Sequence, residues 1–322
     1  VEMKLVGICG TDLHAIKYNP STGYILGSAP LDIGVDGRVL GHEGIGRVAE
    51  IGPGVEGFQC GNWVVFESLQ ACHCCELCRK GRFNQCTSAV LVGMQRDGLF
   101  SEVADLPAQM AHNVSDLTTG KTGQQAAVCI EPAACSLVAL STARVRPGQD
   151  ILIFGAGPIG FFAAMLSRIA FGAASIQIVE PLPFRRKFAE QWADRVSDVE
   201  EFFAEPSWRN ADVIIEASGH LENVNQALSR LKPNGRVMLI GRYGKPLTLE
   251  GVDHIITNNL SIIGSRGHLG GAFGDLLRLY RNERIPLHEA VTGTVEGLIG
   301  LKRALEDHEI FPERHCKLLA QL

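Results

Sequence analysis

Several things are scarce in this chain. Its 322 residues include only 3 tryptophans, 4 tyrosines and 5 methionines. No apolar run reaches the roughly 20 residues that a membrane-spanning helix needs. Thirty basic residues stand against 35 acidic ones, a formal charge of -5, and no basic block gathers the charge that nucleic-acid phosphates or anionic lipid would require. Neither a nucleic acid nor a membrane is an expected partner; a small molecule is. A disulfide framework is not expected either. Five of the 10 cysteines fall between Cys72 and Cys86 with no leader pattern ahead of them, which suits metal-bound thiolates in a reducing cytoplasm.

What the chain has in quantity is glycine, 36 residues, and apolar material, 46%, enough for two domains at this length. From Val1 to about Glu131, short apolar stretches such as Gly46–Ile51 and Asn62–Phe66 alternate with turn residues and read as mostly β. Pro132–Arg144 is alanine-rich and reads as a helix. From Ile151 onward, strands at 151–154, 175–179, 212–217, 237–240 and 260–263 alternate with helices near 159–170, 185–192 and 221–231, the pattern of a parallel sheet. The tail after Gly264 returns to a mixed pattern and is assigned to the first domain. Val1–Val6 reads as the middle of a strand, so a β segment is expected ahead of it.

Cys72-x2-Cys75-x2-Cys78-x7-Cys86 places four thiols on short loops that can wrap a tetrahedral Zn²⁺ and leave no open position, a structural site. Cys74 is surplus. A nucleic-acid-binding zinc module is the competing reading, opposed by the lobe's few cations (Arg79, Lys80, Arg82) and the acidic chain. A second set, Cys9 in Gly7–Asp12 with His42 and Glu43 in Gly41–Gly46, offers a thiolate, an imidazole and a carboxylate, which suits zinc with a position open for catalysis. Glu43 either binds the metal or hydrogen-bonds around it.

Ile151–Phe154 runs into Gly155-Ala156-Gly157-Pro158-Ile159-Gly160 and then an apolar helix, the strand–turn–helix setting of a dinucleotide fingerprint. Gly155 permits the turn, Gly157 lets the pyrophosphate approach, and Gly160 lets helix and strand pack, with Pro158 and Ile159 between them at the helix N-terminus. Glu180 ends the next strand, where a carboxylate accepts hydrogen bonds from the adenosine ribose and repels a 2′-phosphate. NAD is thus favoured over NADP, a preference that nearby Arg185 and Arg186 can soften.

With these motifs in this order, the chain resembles the zinc-containing medium-chain alcohol dehydrogenase family. Gly41, His42, Glu43, Gly46, Gly52 and Val55 match its zinc signature, and the resemblance covers nearly the whole chain. Two features depart from the pattern: Asn19–Val39 is longer than usual, and the family's β segment before Cys9 is missing. The resemblance implies an α/β protein in two parts. A GroES-like, mostly-β catalytic domain would take 1–132 and 266–322, with the zinc lobe at about 72–86, and a Rossmann domain 133–265. It also implies a further zinc ligand just before the linking helix, matched by Glu131 in Glu131-Pro132, with Cys129 the competitor. Thr11 would take the substrate proton and His14 pass it outward. Ala217–Gly219 and Ile240–Arg242 resemble the nicotinamide-side loops. The expected protein carries two zinc ions per chain, uses NAD, oxidises a polyol, sugar or other secondary alcohol, and forms a homodimer or homotetramer. A threonine-type or primary alcohol dehydrogenase is the alternative within the family. A zinc- and NAD-binding protein without catalysis is the alternative outside it.

Overall fold

The computed structural model describes residues 1–16, 37–205, 210–242, 247–268, 271–307 and 311–322. Of the long segment Asn19–Val39, everything up to residue 36 lies outside the described residues. The chain forms two compact units. One comprises Val1–Ala134, Gly267–Phe311 and Lys317–Leu322; the other comprises Cys135–Arg266 with the short piece Pro312–Cys316.

Among the described residues the strands are β1 (Glu2–Gly7), β2 (Glu43–Arg47), β3 (Trp63–Phe66), β4 (Leu69–Gln70), β5 (Val90–Leu91) and β6 (Ala111–Asn113). There follow β7 (Asp150–Phe154), β8 (Ser175–Val179), β9 (Arg195–Ser197), β10 (Ala211–Glu216), β11 (Leu231–Leu239) and β12 (Ser261–Gly264), then β13 (Val291–Glu296) and β14 (Lys317–Gln321). The first unit's sheet runs β13-β14-β1-β2-β3-β6. β1 lies between β14 and β2, antiparallel to both, with Gly7 opposite Leu319 on one side and Glu43 on the other. Met3, Val6, Val64, Phe66, Leu99 and Met110 pack into the core this sheet encloses. The hairpin β4–β5 carries the cysteine lobe at its tip.

The first unit is less purely β than its composition suggests. Gly120–Val128 is a helix followed at once by the helix Ile130–Thr142. Two glycines lower the intrinsic helicity of the first, but its buried face is small (Gly123, Ala126, Ala127) and packs closely: a methyl on Gly123 would lie 2.2 Å from the Leu117 carbonyl oxygen. Tertiary packing overrides the propensity. Likewise Val48–Ile51 lies beyond β2, which begins earlier, at Glu43.

In the second unit six parallel strands run β12-β11-β10-β7-β8-β9. Ile151, Leu152 and Ile153 are completely buried, as strands covered on both faces must be. The order reverses beside β7, and in such sheets a ligand crevice opens at the carboxyl ends of the strands on either side of the reversal. The helices Pro158–Ile169, Pro183–Ala189 and Leu221–Ala227 occupy the stretches where helical periodicity is read. The short β9 and the helix Val199–Ala204 were not anticipated. Among the described residues no single helix is long and apolar enough to cross a membrane.

Phe154 sits edge-on to Phe202 at 5.6 Å between ring centroids, both rings buried. Phe154→Ala is expected to cost about 3–5 kcal/mol, read as a lowered urea midpoint with an unchanged slope.

Candidate active site

The β1–β2 register builds the first donor cluster. Because Gly7 pairs with Glu43, Cys9 just past the end of β1 and His42 just before the start of β2 come to the same edge of the sheet. One ligand atom from each of Cys9, His42 and Glu43 lies within 4.8 Å of the others. Gly7 is required for this approach, since a methyl there would fall 2.6 Å from Glu43 Oε2 and 2.9 Å from Lys317 Cε.

Asp12, completely buried on the helix Gly10–Ile16, ties the pieces together. Its Oδ2 accepts from the Cys9 amide at 2.9 Å, its Oδ1 accepts from the Gly41 amide at 3.2 Å, and Oδ1 stands 3.4 Å from His42 Nδ1. This is the carboxylate–histidine arrangement that orients a metal-binding imidazole. Burial works against a charged ring, but Asp12 and Cys9 override it and hold His42 well above the usual imidazole range. Thr11 Oγ1 is 3.7 Å from Cys9 Sγ, and His14 stands three positions further on the same helix, on the same face.

The two glutamates differ in their partners. Glu43 is 1% exposed, and its Oε2 accepts a hydrogen bond from the Lys317 ammonium, itself completely buried and donating also to the Ile8 carbonyl at 2.9 Å. Burial pushes the Glu43 carboxyl up, Lys317 pulls it down, and Glu131 adds to the rise, leaving it above the ordinary carboxylate range. Burial opposes the charge on Lys317, but Glu43 and Cys9 raise its pKa above the usual lysine value. Glu43 Oε1 is buried with no hydrogen-bond partner among the described residues. Glu131 is not in the three-residue cluster. Its Oε1 accepts from Ser68 Oγ at 2.7 Å and lies 3.3 Å from His268 Nε2. Burial disfavours its charge, yet His268, then His42 and Ser68, bring it down to about 2. Cys129 is likewise outside the cluster and buried.

A sulfur, an imidazole and a buried carboxylate oxygen that lacks a donor fit zinc with a position to spare. The second set fits a closed site: the thiols of Cys72, Cys75, Cys78 and Cys86 also lie within 4.8 Å of one another. Amides already point at the sulfurs, Cys72 N–H to Cys86 and Cys75 N–H to Cys72 at 3.3 Å, and Cys78 N–H to Cys75 at 3.5 Å. The amides of Cys78 and Thr87 bring Cys75 down to about 5, whereas burial and its neighbouring thiols push Cys78 up to about 12. Four thiolates this close need a cation. His73 turns the loop at φ 56°, and Cys74 is exposed, outside the cluster.

In the second unit Gly155 follows β7 at φ 93°, and a methyl on Gly160 would fall 1.8 Å from the Gly155 carbonyl oxygen. The helix Pro158–Ile169 starts with proline and with no side-chain cap at Gly157. Its first amides are thus left for an anion, which fits a pyrophosphate. Ile159 accepts a hydrogen bond from Ser136 Oγ at its carbonyl, 2.9 Å. Glu180 is 4% exposed, and its carboxylate accepts from the Ala156 amide at 2.7 Å and the Leu182 amide at 3.0 Å. Each oxygen retains a second lone pair for a ribose hydroxyl. Arg185 NH1 lies 3.4 Å from where a Gly157 methyl would be, and its Nε donates to the His315 carbonyl at 3.3 Å. Arg186 is turned back onto the carbonyls of Glu180 and Pro181. Glu216, at the end of β10, accepts through Oε1 from the Ser218 and Gly219 amides, both at 2.8 Å, and so shapes the Ala217–Gly219 loop.

Sequence reading did not single out Lys317, Ser68, His268 or Glu216, and left Asp12 without a role. Only Asp12 had a signal, its place beside Cys9; the others act through contacts that no spacing encodes. Lys317→Met leaves Glu43 buried and unpaired and is expected to cost about 3–5 kcal/mol in urea unfolding, with most of that loss recovered in Lys317→Met/Glu43→Gln.

Known proteins resemble this chain along most of its length. Residues 1–116 match the model of the alcohol dehydrogenase GroES-like domain, and residues 158–282 that of the zinc-binding dehydrogenases. L-threonine 3-dehydrogenase of Pyrococcus horikoshii is 30% identical over 315 residues, 95% of this chain and 86% of its own. The "Probable D-xylulose reductase A" of Arthroderma otae is 30% identical over 307 residues, 92% of this chain and 82% of its own. Among solved structures, an Escherichia coli CFT073 protein described as a short chain alcohol dehydrogenase in complex with NADH superposes with a TM-score of 0.86. It is 26% identical, and the match covers 100% of this chain and 91% of that one. The chain belongs to the zinc-containing medium-chain alcohol dehydrogenase family.

Proposed function

We propose that this chain oxidises a polyol, a sugar or a related secondary alcohol with NAD, at a zinc site made by Cys9 and His42 with a glutamate completing it. The reaction class, zinc-dependent hydride transfer between a CH–OH donor and a nicotinamide dinucleotide, comes with the family. The observation that carries the site is the Cys9, His42 and Glu43 cluster. Zinc held there supplies a Lewis acid that polarises the substrate oxygen and lowers the pKa of its hydroxyl. Cys9 and His42 hold it, Asp12 orients His42, and Lys317 offsets the charge of Glu43. Thr11 Oγ1, beside Cys9, takes the hydroxyl proton, and His14 on the same helix face passes it outward. The cysteine lobe holds the second, structural zinc.

The first unit is the catalytic domain in this reading and the second the nucleotide domain, with Gly155, Gly157 and Gly160 and the uncapped helix start receiving the pyrophosphate. Glu180 holds the adenosine ribose and disfavours a 2′-phosphate, and Arg185 stands beside the approach to Gly157. Glu131-Pro132, and relatives named for threonine and xylulose, support the substrate class. The threonine relative equally supports a second reading, an amino-alcohol dehydrogenase. A reducing cytoplasm suits the thiolate sites, and a homodimer or homotetramer is the proposed assembly.

The deciding experiment is an NAD-reduction screen across polyols, sugars, cyclitols, secondary alcohols and threonine, combined with metal analysis. Two zinc ions per chain are expected, one for each donor cluster, and a flat screen with zinc-replete protein would favour the non-catalytic reading. Cys9→Ser should remove one zinc, keep the other, and lower turnover by at least about 1000-fold; normal turnover with full zinc overturns the assignment. Glu180→Gln, which loses the charge that opposes a 2′-phosphate, should narrow the NAD over NADP preference in kcat/KM by about tenfold.

A further inference from the structure

Ser68, Glu131 and His268 come from separate stretches of the first unit, Ser68 and His268 lying 200 positions apart. All three are buried, at 4%, 6% and 1% exposure. Ser68 Oγ donates to Glu131 Oε1 at 2.7 Å and lies 2.9 Å from His268 Nε2, which stands 3.3 Å from the same Oε1. The Ser68 amide donates to Nε2 at 3.1 Å, and Nε2 can serve either as that acceptor or, protonated, as a donor to Oε1. The contacts from Ser68 Oγ and His268 Nε2 to the Glu131 carboxylate both fall on Oε1. Glu43 is likewise held by one oxygen, Oε2 on Lys317, and its Oε1 has no partner among the described residues. Val128, three positions before Glu131, and Glu43 Oε2 both crowd Gly7, at 3.1 and 2.6 Å from where its methyl would be, so the two carboxylates share one neighbourhood.

His268 is an uneconomical choice for a core position. Its ring is wedged against Phe273, 4.7 Å between centroids, and Phe273 in turn stacks on His112 at 5.1 Å. Its Nδ1 is buried with no hydrogen-bond partner among the described residues, a burden of about 1–3 kcal/mol that an apolar ring would avoid. What the histidine adds is a ring nitrogen in reach of the Ser68 amide, the Ser68 hydroxyl and the Glu131 carboxylate, which holds the three groups in one place.

We infer that Ser68 and His268 are positioning residues, which fix the Glu131 carboxylate by one oxygen beside the Cys9 and His42 cluster and thereby set how tightly that site retains zinc. The inference rests on reading that cluster as a zinc site. Partners that orient a metal ligand are worth about 10–100-fold in metal affinity.

The test follows zinc transfer from the full-length protein to a chromophoric chelator, with the four-cysteine zinc as internal reference and circular dichroism to verify folding. Ser68→Ala and His268→Phe should weaken retention of the Cys9 zinc by about 10–100-fold and leave the lobe zinc unchanged. His268→Gln keeps a donor of similar reach and should restore most of the retention. In a Glu131→Gln background, His268→Phe should have no further effect, because the residue it positions is already altered. Unchanged retention in both Ser68→Ala and His268→Phe overturns the inference, as does an equal loss from His268→Phe with and without Glu131→Gln, which marks a merely structural role. A wild-type protein that holds only the lobe zinc removes the zinc reading itself and the inference with it, an outcome distinct from the other two.

Discussion

The antiparallel pairing of β1 with β2 is the constraint on which the site depends. Strand register is a two-state matter for each side chain, since a slip of one residue sends it to the opposite face. With Gly7 opposite Glu43, the ends of the two strands deliver Cys9 and His42 to one place. Gly7 is where the sheet leaves room for two buried, oppositely charged side chains at once. β14, on the other side of β1, contributes the second of them, Lys317. A pair of strand registers thus fixes both the donors and the charge that balances them.

Charge is the second organising term. A thiol and two carboxylates gathered around an imidazole would repel one another once ionised in a low-dielectric interior. Each carboxylate is given its own partner, Lys317 for Glu43 and His268 with Ser68 for Glu131, and Asp12 does the same for His42. The nucleotide-binding unit works with the opposite sign. There the donors are backbone amides at an uncapped helix start, and the carboxylates Glu180 and Glu216 are spent on holding the loops around them. Glu180 is therefore part of the turn, and in the proposed reading also the group that faces a ribose, a double duty that a carboxylate with several lone pairs can perform.

Legibility followed the range of the interactions. The strands of the parallel sheet were readable because burial on both faces writes itself as short apolar stretches rich in β-branched residues, continuous in Ile151–Phe154 and broken only by Gln177 in Ile176–Val179. The four-cysteine lobe was readable because its ligands sit on neighbouring loops. The helix Gly120–Val128 was not, because its glycines and glutamines satisfy no strong local preference and its stability comes from a close fit of small residues. The partners of Glu131 were equally hidden. Glu131-Pro132 is a local pattern, whereas Ser68 and His268 reach it only through the fold.

By itself the sequence determined the order of motifs, the donor chemistry of both cysteine-containing sets, the strand–turn–helix dinucleotide fingerprint and, through these, the family. Each of those is local, written in adjacent residues whose spacing already implies their geometry. Only the tertiary structure decided that Glu43 lies with Cys9 and His42 while Glu131 is gripped from the side by Ser68 and His268, and that a buried lysine near the carboxyl end balances the site. Those contacts join residues far apart in the chain, and their energies depend on desolvation and on who stands opposite whom in a sheet, quantities that exist only once the chain has folded.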